Sequence, residues 1–311
     1  MIHLIRKLYR FFYRLYLKEI FNLVLLKNLR FLINYKKSIC LRSVPKSGTN
    51  YLRLILSNYF FNMQKPKENW EVVTYDFMHF QLFPNVRAYI INGKDNYKKQ
   101  SFKIHKNNNN EYYNDFMYDH GSKLDTKKHI NPKKLILLYR NPLDYLISRF
   151  FYSFKNRTGK EKILEHPREL IKDCVPQYAR TINSINEIHK NNSNSIFISY
   201  EELKLTPHNS ISQIIQFLDI PLNNDLIEFS LDASSIDKVR AQEKERGEAI
   251  HAPKAGLKGS FARSGAIGQW KEYFNEQDIN HIKTILNQYN IDLNNFILEP
   301  TIEQTTYTPT A

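Results

Sequence analysis

The feature that most constrains the fold of this 311-residue chain lies close to its N-terminus. An apolar run at residues 38–44 (SICLRSV) is followed by the polar stretch 45–51 (PKSGTNY) and by a helical pattern through Asn62. This order predicts a buried strand, a tight loop and a helix. Such a loop directs backbone N–H groups and a helix N-terminus at one point, and Lys46 and two hydroxyl groups add charge-assisted donors. We expect a phosphate-like or sulfate-like group to bind there.

The loop differs from the phosphate loop of nucleotide triphosphatases. That loop requires the pattern G-x-x-x-x-G-K-[ST], whereas here the first Gly is absent and Lys46 precedes Gly48. The residues therefore argue against an ATP loop of that kind.

A second segment combines a strand with a helix start. Residues 135–139 (LILLY) form an apolar run that predicts a buried strand, and RNPLD follows at 140–144. Arg140 then stands at the end of the strand as a fork-shaped donor, Pro142 suits the first turn of a helix, and Ser148 lies about two turns further on. Arg140 and Ser148 are thereby placed to hold one phosphate from two directions.

A third segment, RSGAIGQWK, occupies residues 263–271. Together the three segments resemble the motifs of the sulfotransferases that use 3'-phosphoadenosine 5'-phosphosulfate (PAPS). Residues 45–49 resemble the 5'-phosphosulfate loop of that family, residues 140–148 its 3'-phosphate motif, and residues 263–271 its Arg-Lys-Gly…Gly-Asp-Trp-Lys loop, which closes over the nucleotide. Ser264 replaces the usual Lys and Gln269 the usual Asp, so we expect the same cofactor to be bound less tightly.

The resemblance implies an α/β fold: a single domain with a central parallel sheet flanked by helices, a P-loop-like sulfotransferase fold. We predict this domain at 38–299, a basic amphipathic helical extension at 1–37 and a flexible tail at 300–311. Strands alternate with helices, as expected of a parallel sheet. The predicted strands are 38–44, 87–91, 135–139 and 195–199, and the predicted helices are 50–62, 142–154, 169–190, 207–218, 234–246 and 277–289.

The net charge indicates which partners the chain binds, and the cysteine content indicates its cellular location. The formal net charge of +14 indicates an anionic partner, which charge alone leaves as a nucleotide, an acidic glycan, a lipid headgroup or nucleic acid. With the nucleotide motifs present we expect no nucleic acid. The two cysteines, Cys40 and Cys174, form neither a disulfide framework nor a metal-ligand spacing, which favours a reducing, cytoplasmic location.

Residues 1–37 are basic and apolar but too often interrupted by charges to cross a membrane. On a helical wheel Lys7, Arg10, Arg14 and Lys18 form a basic stripe opposite a broad apolar arc. Two interpretations have about equal weight: peripheral association with an anionic membrane, or packing against the catalytic domain or a dimer partner.

Sulfuryl transfer needs a group that stabilises the leaving phosphate and a base that takes the acceptor's proton. We assign the first role to Lys46. The resemblance implies that the base is His105, which ends a Lys-x-His pattern in the segment FKIH (102–105), and that Lys103 stabilises the sulfuryl oxygens. His79, His120 and His129 are the rival bases.

The resemblance also implies the nucleotide contacts. Tyr51 stands where relatives carry a Trp against adenine, Tyr200 and Ser234 match other nucleoside contacts, and Ile236 stands where many relatives have a Phe. The predicted cofactor-binding set is Lys46, Ser47, Gly48, Thr49, Asn50, Tyr51, Arg140, Ser148, Tyr200, Ser234, Ile236, Arg263, Ser264 and Gly265.

The leading hypothesis is therefore a sulfotransferase that moves the sulfuryl group of PAPS to a hydroxyl or amine and releases 3'-phosphoadenosine 5'-phosphate (PAP), without a metal. The acceptor would be a small molecule, a glycan or a lipid headgroup. The alternatives are a P-loop-like nucleotide kinase or other NTP-dependent enzyme, and a non-catalytic binder of nucleic acid or membrane. Acceptor identity and oligomeric state stay open.

Overall fold

A computed structural model of the chain describes residues 38–74, 78, 116–120, 132–152, 164–246 and 263–296. Its centre is a four-stranded sheet in the order β2-β1-β3-β4, in which all neighbours are parallel. The strands are β1 (Ile39–Ser43), β2 (Phe116–His120), β3 (Lys134–Tyr139) and β4 (Ser195–Ser199). The predicted parallel sheet is confirmed.

Eight α-helices are described. They are α1 (Thr49–Asn62), α2 (Pro142–Phe150), α3 (Ile171–Lys190), α4 (Tyr200–Leu205), α5 (Pro207–Phe217), α6 (Asn224–Ala233), α7 (Ile236–Arg246) and α8 (Glu276–Asn287). Three of them, α1, α2 and α4, directly follow a strand of the sheet. Short 3₁₀ turns occupy Lys67–Asn69, Pro167–Leu170, Gln269–Glu272 and Leu293–Phe296. Within the described parts of the chain, every helix is too short or too polar to cross a membrane.

The sheet lies between two apolar clusters, because successive strand residues point to opposite faces. On β1, Ile39 and Leu41 join the cluster under α1, α5 and α6, whereas Cys40 joins the cluster under α2, α3 and α8. On β3, Ile136 and Leu137 divide in the same way. Both faces are therefore covered, which explains why these strands have continuous apolar sequences.

The sequence analysis missed three elements and misjudged some ends. Strand β2 and helices α4 and α6 have no counterpart among the predicted elements, and α2 ends at Phe150 rather than Phe154. The predicted helix from 169 begins as a 3₁₀ turn that His166 caps by accepting a hydrogen bond from the Arg168 N–H. The predicted strand 87–91, the extension 1–37 and the tail 300–311 lie outside the described residues, so the domain boundaries stay a prediction.

Candidate active site

The loop between β1 and α1 has the form that the sequence predicts. The chain takes positive φ angles at Lys46 (70°) and Gly48 (82°), and the Ser43 and Thr49 hydroxyl oxygens lie 2.7 Å apart. The Ser47 side chain is buried, and its Oγ has no hydrogen-bond partner among the described residues. A buried hydroxyl without a partner is costly, so a ligand oxygen at this loop would supply a missing interaction.

The ring of Tyr200 covers the loop at Gly48. A Cβ atom on Gly48 would lie 2.3 Å from Tyr200 Cδ2, so only glycine fits between them. Tyr200 begins α4, directly after β4, and its ring also contacts Tyr51 edge to face with ring centres 6.5 Å apart. Burial raises the pKa of Tyr200 to about 12, so its hydroxyl stays protonated at neutral pH and donates to the Gly265 carbonyl at 2.7 Å.

Arg140 lies where β3 ends, as predicted, and is 7% exposed. Its Nη2 donates to the Ala266 carbonyl at 2.8 Å and lies 3.7 Å from the Asp144 carboxylate. Its Nε is buried and has no hydrogen-bond partner within the described ranges. Ser148 is half-buried further along α2.

Residues 263–270 form a lid over this region, and Asp144 anchors it. The buried Asp144 carboxylate accepts hydrogen bonds from the Gly268 N–H at 2.7 Å and the Trp270 N–H at 3.1 Å. Together with the Arg140 and Tyr200 bonds to lid carbonyls, these contacts hold the lid against the carboxyl ends of β3 and β4. Much of the lid is thereby fixed through its backbone.

The two departures from the family pattern contact each other. The hydroxyl of Ser264 donates to Gln269 Oε1 at 2.8 Å, and Arg263 Nη2 donates to the same oxygen at 2.6 Å. A neutral hydrogen-bonded pair thus occupies the positions of the usual Lys and Asp. The lid therefore lacks the positive and the negative charge of the usual Lys and Asp. A hydrogen bond still joins positions 264 and 269.

Two further residues of the predicted nucleoside set, Ile236 and Ser234, have different surroundings. Ile236 Cδ1 would lie 3.5 Å from a Cβ atom on Gly265, so Ile236 packs against the lid. Ser234 is 1% exposed, and its hydroxyl accepts a hydrogen bond from Asn58 Nδ2 at 3.3 Å.

His105 and Lys103, the predicted base and its neighbour, lie outside the described residues, as do His79 and His129. The fourth histidine considered, His120, is the last residue of β2 and pairs with Ser43 in the parallel register. Its backbone therefore lies beside the start of the loop that carries Lys46. Strand β2 lies within a polar stretch with a run of asparagines, so periodicity did not reveal it.

The arrangement of loop, strand-end arginine and lid matches a known family. A family model described as the sulfotransferase domain matches residues 36–293. The chain belongs to the sulfotransferase family. The predicted family and enzyme class are thereby confirmed.

Curated relatives and solved structures agree with this membership. An amine sulfotransferase from Oryctolagus cuniculus is 29% identical over 244 residues, covering 74% of this chain and 72% of that protein. Cytosolic sulfotransferase 8 from Arabidopsis thaliana is 23% identical over 293 residues, covering 91% and 85%.

Solved structures with low identity confirm the predicted fold. Mouse sulfotransferase SULT7A1 complexed with PAP has a TM-score of 0.55 at 18% identity, covering 81% of this chain and 83% of that one. Retinol dehydratase in a complex with retinol and PAP has a TM-score of 0.57 at 15% identity, covering 85% and 84%. The α/β architecture of this sulfotransferase-family chain is thus shared with proteins of quite different sequence.

The site also contains a buried carboxyl group, that of Glu201, whose pKa is raised. Burial raises the pKa of Glu201 from its ordinary 4.5 to about 7, although nearby Arg140 and backbone N–H groups lower it. Its Oε1 accepts a hydrogen bond from the Asn141 N–H at 3.1 Å. Glu201 thus holds the backbone that directly follows Arg140.

We predict that Gly48→Ala lowers the free energy of unfolding by about 2 to 5 kcal/mol, because a methyl group adds both a clash and left-handed strain. Gly268→Ala is the matched control, since its φ is also positive (74°) but a Cβ there would meet nothing within 4 Å. This control should lose only about 1 to 2 kcal/mol. Urea denaturation measures both, and equal losses would show that the Tyr200 contact is unimportant.

We predict that Glu201→Gln changes how stability depends on pH. Since the pKa of Glu201 is higher in the folded chain, the unfolded chain releases this proton first, and wild-type stability falls as pH rises from 4.5 to about 7. Gln lacks this titration, so relative to wild type the variant should gain about 3 kcal/mol across that range.

Urea denaturation at several pH values tests this expectation. The exposed Glu228→Gln on α6 is the matched control, and it should follow the wild-type profile. Parallel profiles for wild type and Glu201→Gln would contradict a raised pKa at Glu201.

Proposed function

We propose that this chain transfers the sulfuryl group of PAPS to a hydroxyl or amine of a small molecule. The observation that carries the proposal is the meeting of three segments at one place: the loop at 45–49, Arg140 at the end of β3, and the lid at 263–270. Backbone N–H groups, Lys46, Arg140 and Arg263 make this place strongly attractive to anions. PAP in the solved relatives supports PAPS as the donor.

The site residues suit the two ends of the donor differently. Lys46 and the loop through Tyr51 would hold the 5'-phosphosulfate, where the buried Ser47 hydroxyl offers an unused donor. Arg140, Ser148, Arg263 and Gly265 would hold the 3'-phosphate, and the unused Nε of Arg140 fits that role. The predicted set Tyr51, Tyr200, Ser234 and Ile236 would surround the nucleoside.

The reaction then balances as a direct displacement. The acceptor's oxygen or nitrogen forms a bond to sulfur while the bond from sulfur to the bridging oxygen of the 5'-phosphate breaks. That oxygen leaves with the bonding electrons, and the Lys46 ammonium stabilises its charge. The acceptor's proton passes to a histidine, whose ordinary pKa of about 6.5 suits this transfer near neutral pH. No metal is required, because Lys and Arg supply the positive charge.

For the base we propose His120 rather than His105, which the family resemblance favours. His105 is supported by its resemblance to a Lys-x-His pattern. His120 is supported by its place in the sheet, since its backbone pairs with Ser43 at the carboxyl end of β1. Ligands of parallel α/β sheets bind at these carboxyl ends, next to the loops that follow them.

The names of the relatives support a proposal for the acceptor's chemical class and for the enzyme's cellular location. One relative is an amine sulfotransferase and another a cytosolic sulfotransferase, which supports a small-molecule acceptor and a cytoplasmic enzyme. A glycan or lipid headgroup as acceptor, and membrane association through residues 1–37, remain predictions. The nucleotide kinase alternative is set aside, because the chain belongs to the sulfotransferase family.

We predict that His120→Ala lowers the turnover of PAPS by about 100-fold or more, the usual loss when a general base is removed. His105→Ala should stay close to wild type. The assay follows PAP formation by mass spectrometry with a panel of phenols, alcohols and amines. His281→Ala, an exposed histidine on α8, is the control for nonspecific effects.

The opposite pattern, in which His105→Ala abolishes turnover and His120→Ala does not, would restore His105 as the base. If the wild-type chain forms no PAP with any acceptor but binds PAP, the acceptor panel is wrong. If it binds no PAP at all, the proposed function is wrong.

A further inference from the structure

Each of the three cations that the proposed function assigns to the donor lies on the face of an aromatic ring. The Lys46 ammonium nitrogen lies 3.5 Å from the ring centre of Tyr152. The guanidinium carbon of Arg263 lies 4.1 Å from the ring centre of Phe151, and that of Arg140 lies 4.5 Å from the ring centre of Tyr200. All three distances are within the range of cation–π attraction.

Two of these rings belong to consecutive residues, Phe151 and Tyr152, directly after α2. Consecutive side chains on a helical path point about 100° apart, so the two rings face different segments. One ring contacts the loop after β1 and the other the lid, which are 217 residues apart in sequence, counting from Lys46 to Arg263. The pair therefore joins cations from two segments that are far apart in sequence.

The Phe151 ring is itself held in position. It contacts Phe150 edge to face with ring centres 5.1 Å apart, and Tyr273 in the same way at 5.9 Å. Phe150 is 2% exposed and belongs to the apolar cluster under α2, so the support reaches the core. A ring fixed in this way can restrict the position of the cation on its face.

Aromatic rings suit cations that must bind an anionic ligand. A carboxylate partner would hold a cation equally well, but its negative charge would repel phosphate and sulfate groups. A ring attracts the cation through its quadrupole and carries no net charge. A ring can therefore hold Lys46 or Arg263 in place without adding a negative charge beside the donor.

We propose that Phe151 and Tyr152 are positioning residues for the sulfuryl donor. The Tyr152 ring holds the Lys46 ammonium at the phosphosulfate loop, and the Phe151 ring holds the Arg263 guanidinium in the lid. This inference rests on the proposed function, since it assigns both cations to PAPS. The two rings act through the cations rather than on the donor itself.

The test varies the electron density of each ring without changing its size much. Phenylalanine carrying zero, one, two or three ring fluorines is placed at position 152 and, separately, at position 151, and PAP affinity is measured by titration calorimetry. Fluorination weakens the ring quadrupole, so the logarithm of Kd should rise steadily with fluorine number, by about two- to fivefold across each series. Phe at position 152 without fluorine should bind PAP nearly as well as wild type.

The same fluorinated series at Phe60 on α1 is the matched control. Phe60 is 4% exposed and belongs to the apolar cluster under α1, α5 and α6, on the opposite face of the sheet from Phe150, so its series should be flat. Wild-type PAP binding is measured first, so a chain that does not bind PAP refutes the proposed function and the positioning role with it. If wild type binds PAP and the series at 151 and 152 are flat, or match the series at 60, the positioning role alone is wrong. Circular dichroism confirms that every variant is folded.

Discussion

The close contact between the Tyr200 ring and Gly48 is the constraint on which the site depends. The ring lies against the loop backbone, its hydroxyl reaches the lid at Gly265, and its face carries the Arg140 guanidinium. One side chain at the start of α4 thus connects three segments that are far apart in sequence. Only glycine at position 48 allows the Tyr200 ring to lie this close to the loop backbone. The absence of a side chain at Gly48 therefore determines how close the loop and the lid can come.

Positive groups outweigh negative groups in this region, which favours an anionic ligand. Asp144 is committed to two backbone N–H groups of the lid, and the raised pKa of Glu201 keeps that carboxyl group partly protonated near neutral pH. The cations Lys46 and Arg263 lie on aromatic rings. The balance of charge among these described groups is therefore positive, which agrees with a net charge of +14 for the whole chain.

Local patterns predicted the parts of this site that lie within one segment. The strand, loop and helix around Lys46, and Arg140 after β3, follow from apolar runs and helix-start signals. Strand β2 was missed because its five residues acquire a strand's form only by pairing with β1, which no local pattern encodes. The support for His120 as the base comes from that pairing, so local patterns in the sequence could not supply it. The contact of Ser264 with Gln269 could not be predicted from sequence either. In the sequence each residue only replaces a charged residue of the family pattern, and nothing shows that the two are neighbours.

The central claim, that loop, Arg140 and lid together bind the donor, is tested most directly by calorimetry with PAP, AMP and ATP. PAP and AMP differ only in the 3'-phosphate, which Arg140 and Arg263 are proposed to hold. The account predicts that PAP binds about 100-fold more tightly than AMP, since charge-assisted hydrogen bonds of this kind contribute about 1.5 to 3 kcal/mol each. Equal affinities for PAP and AMP, or tighter binding of ATP than of PAP, would contradict it.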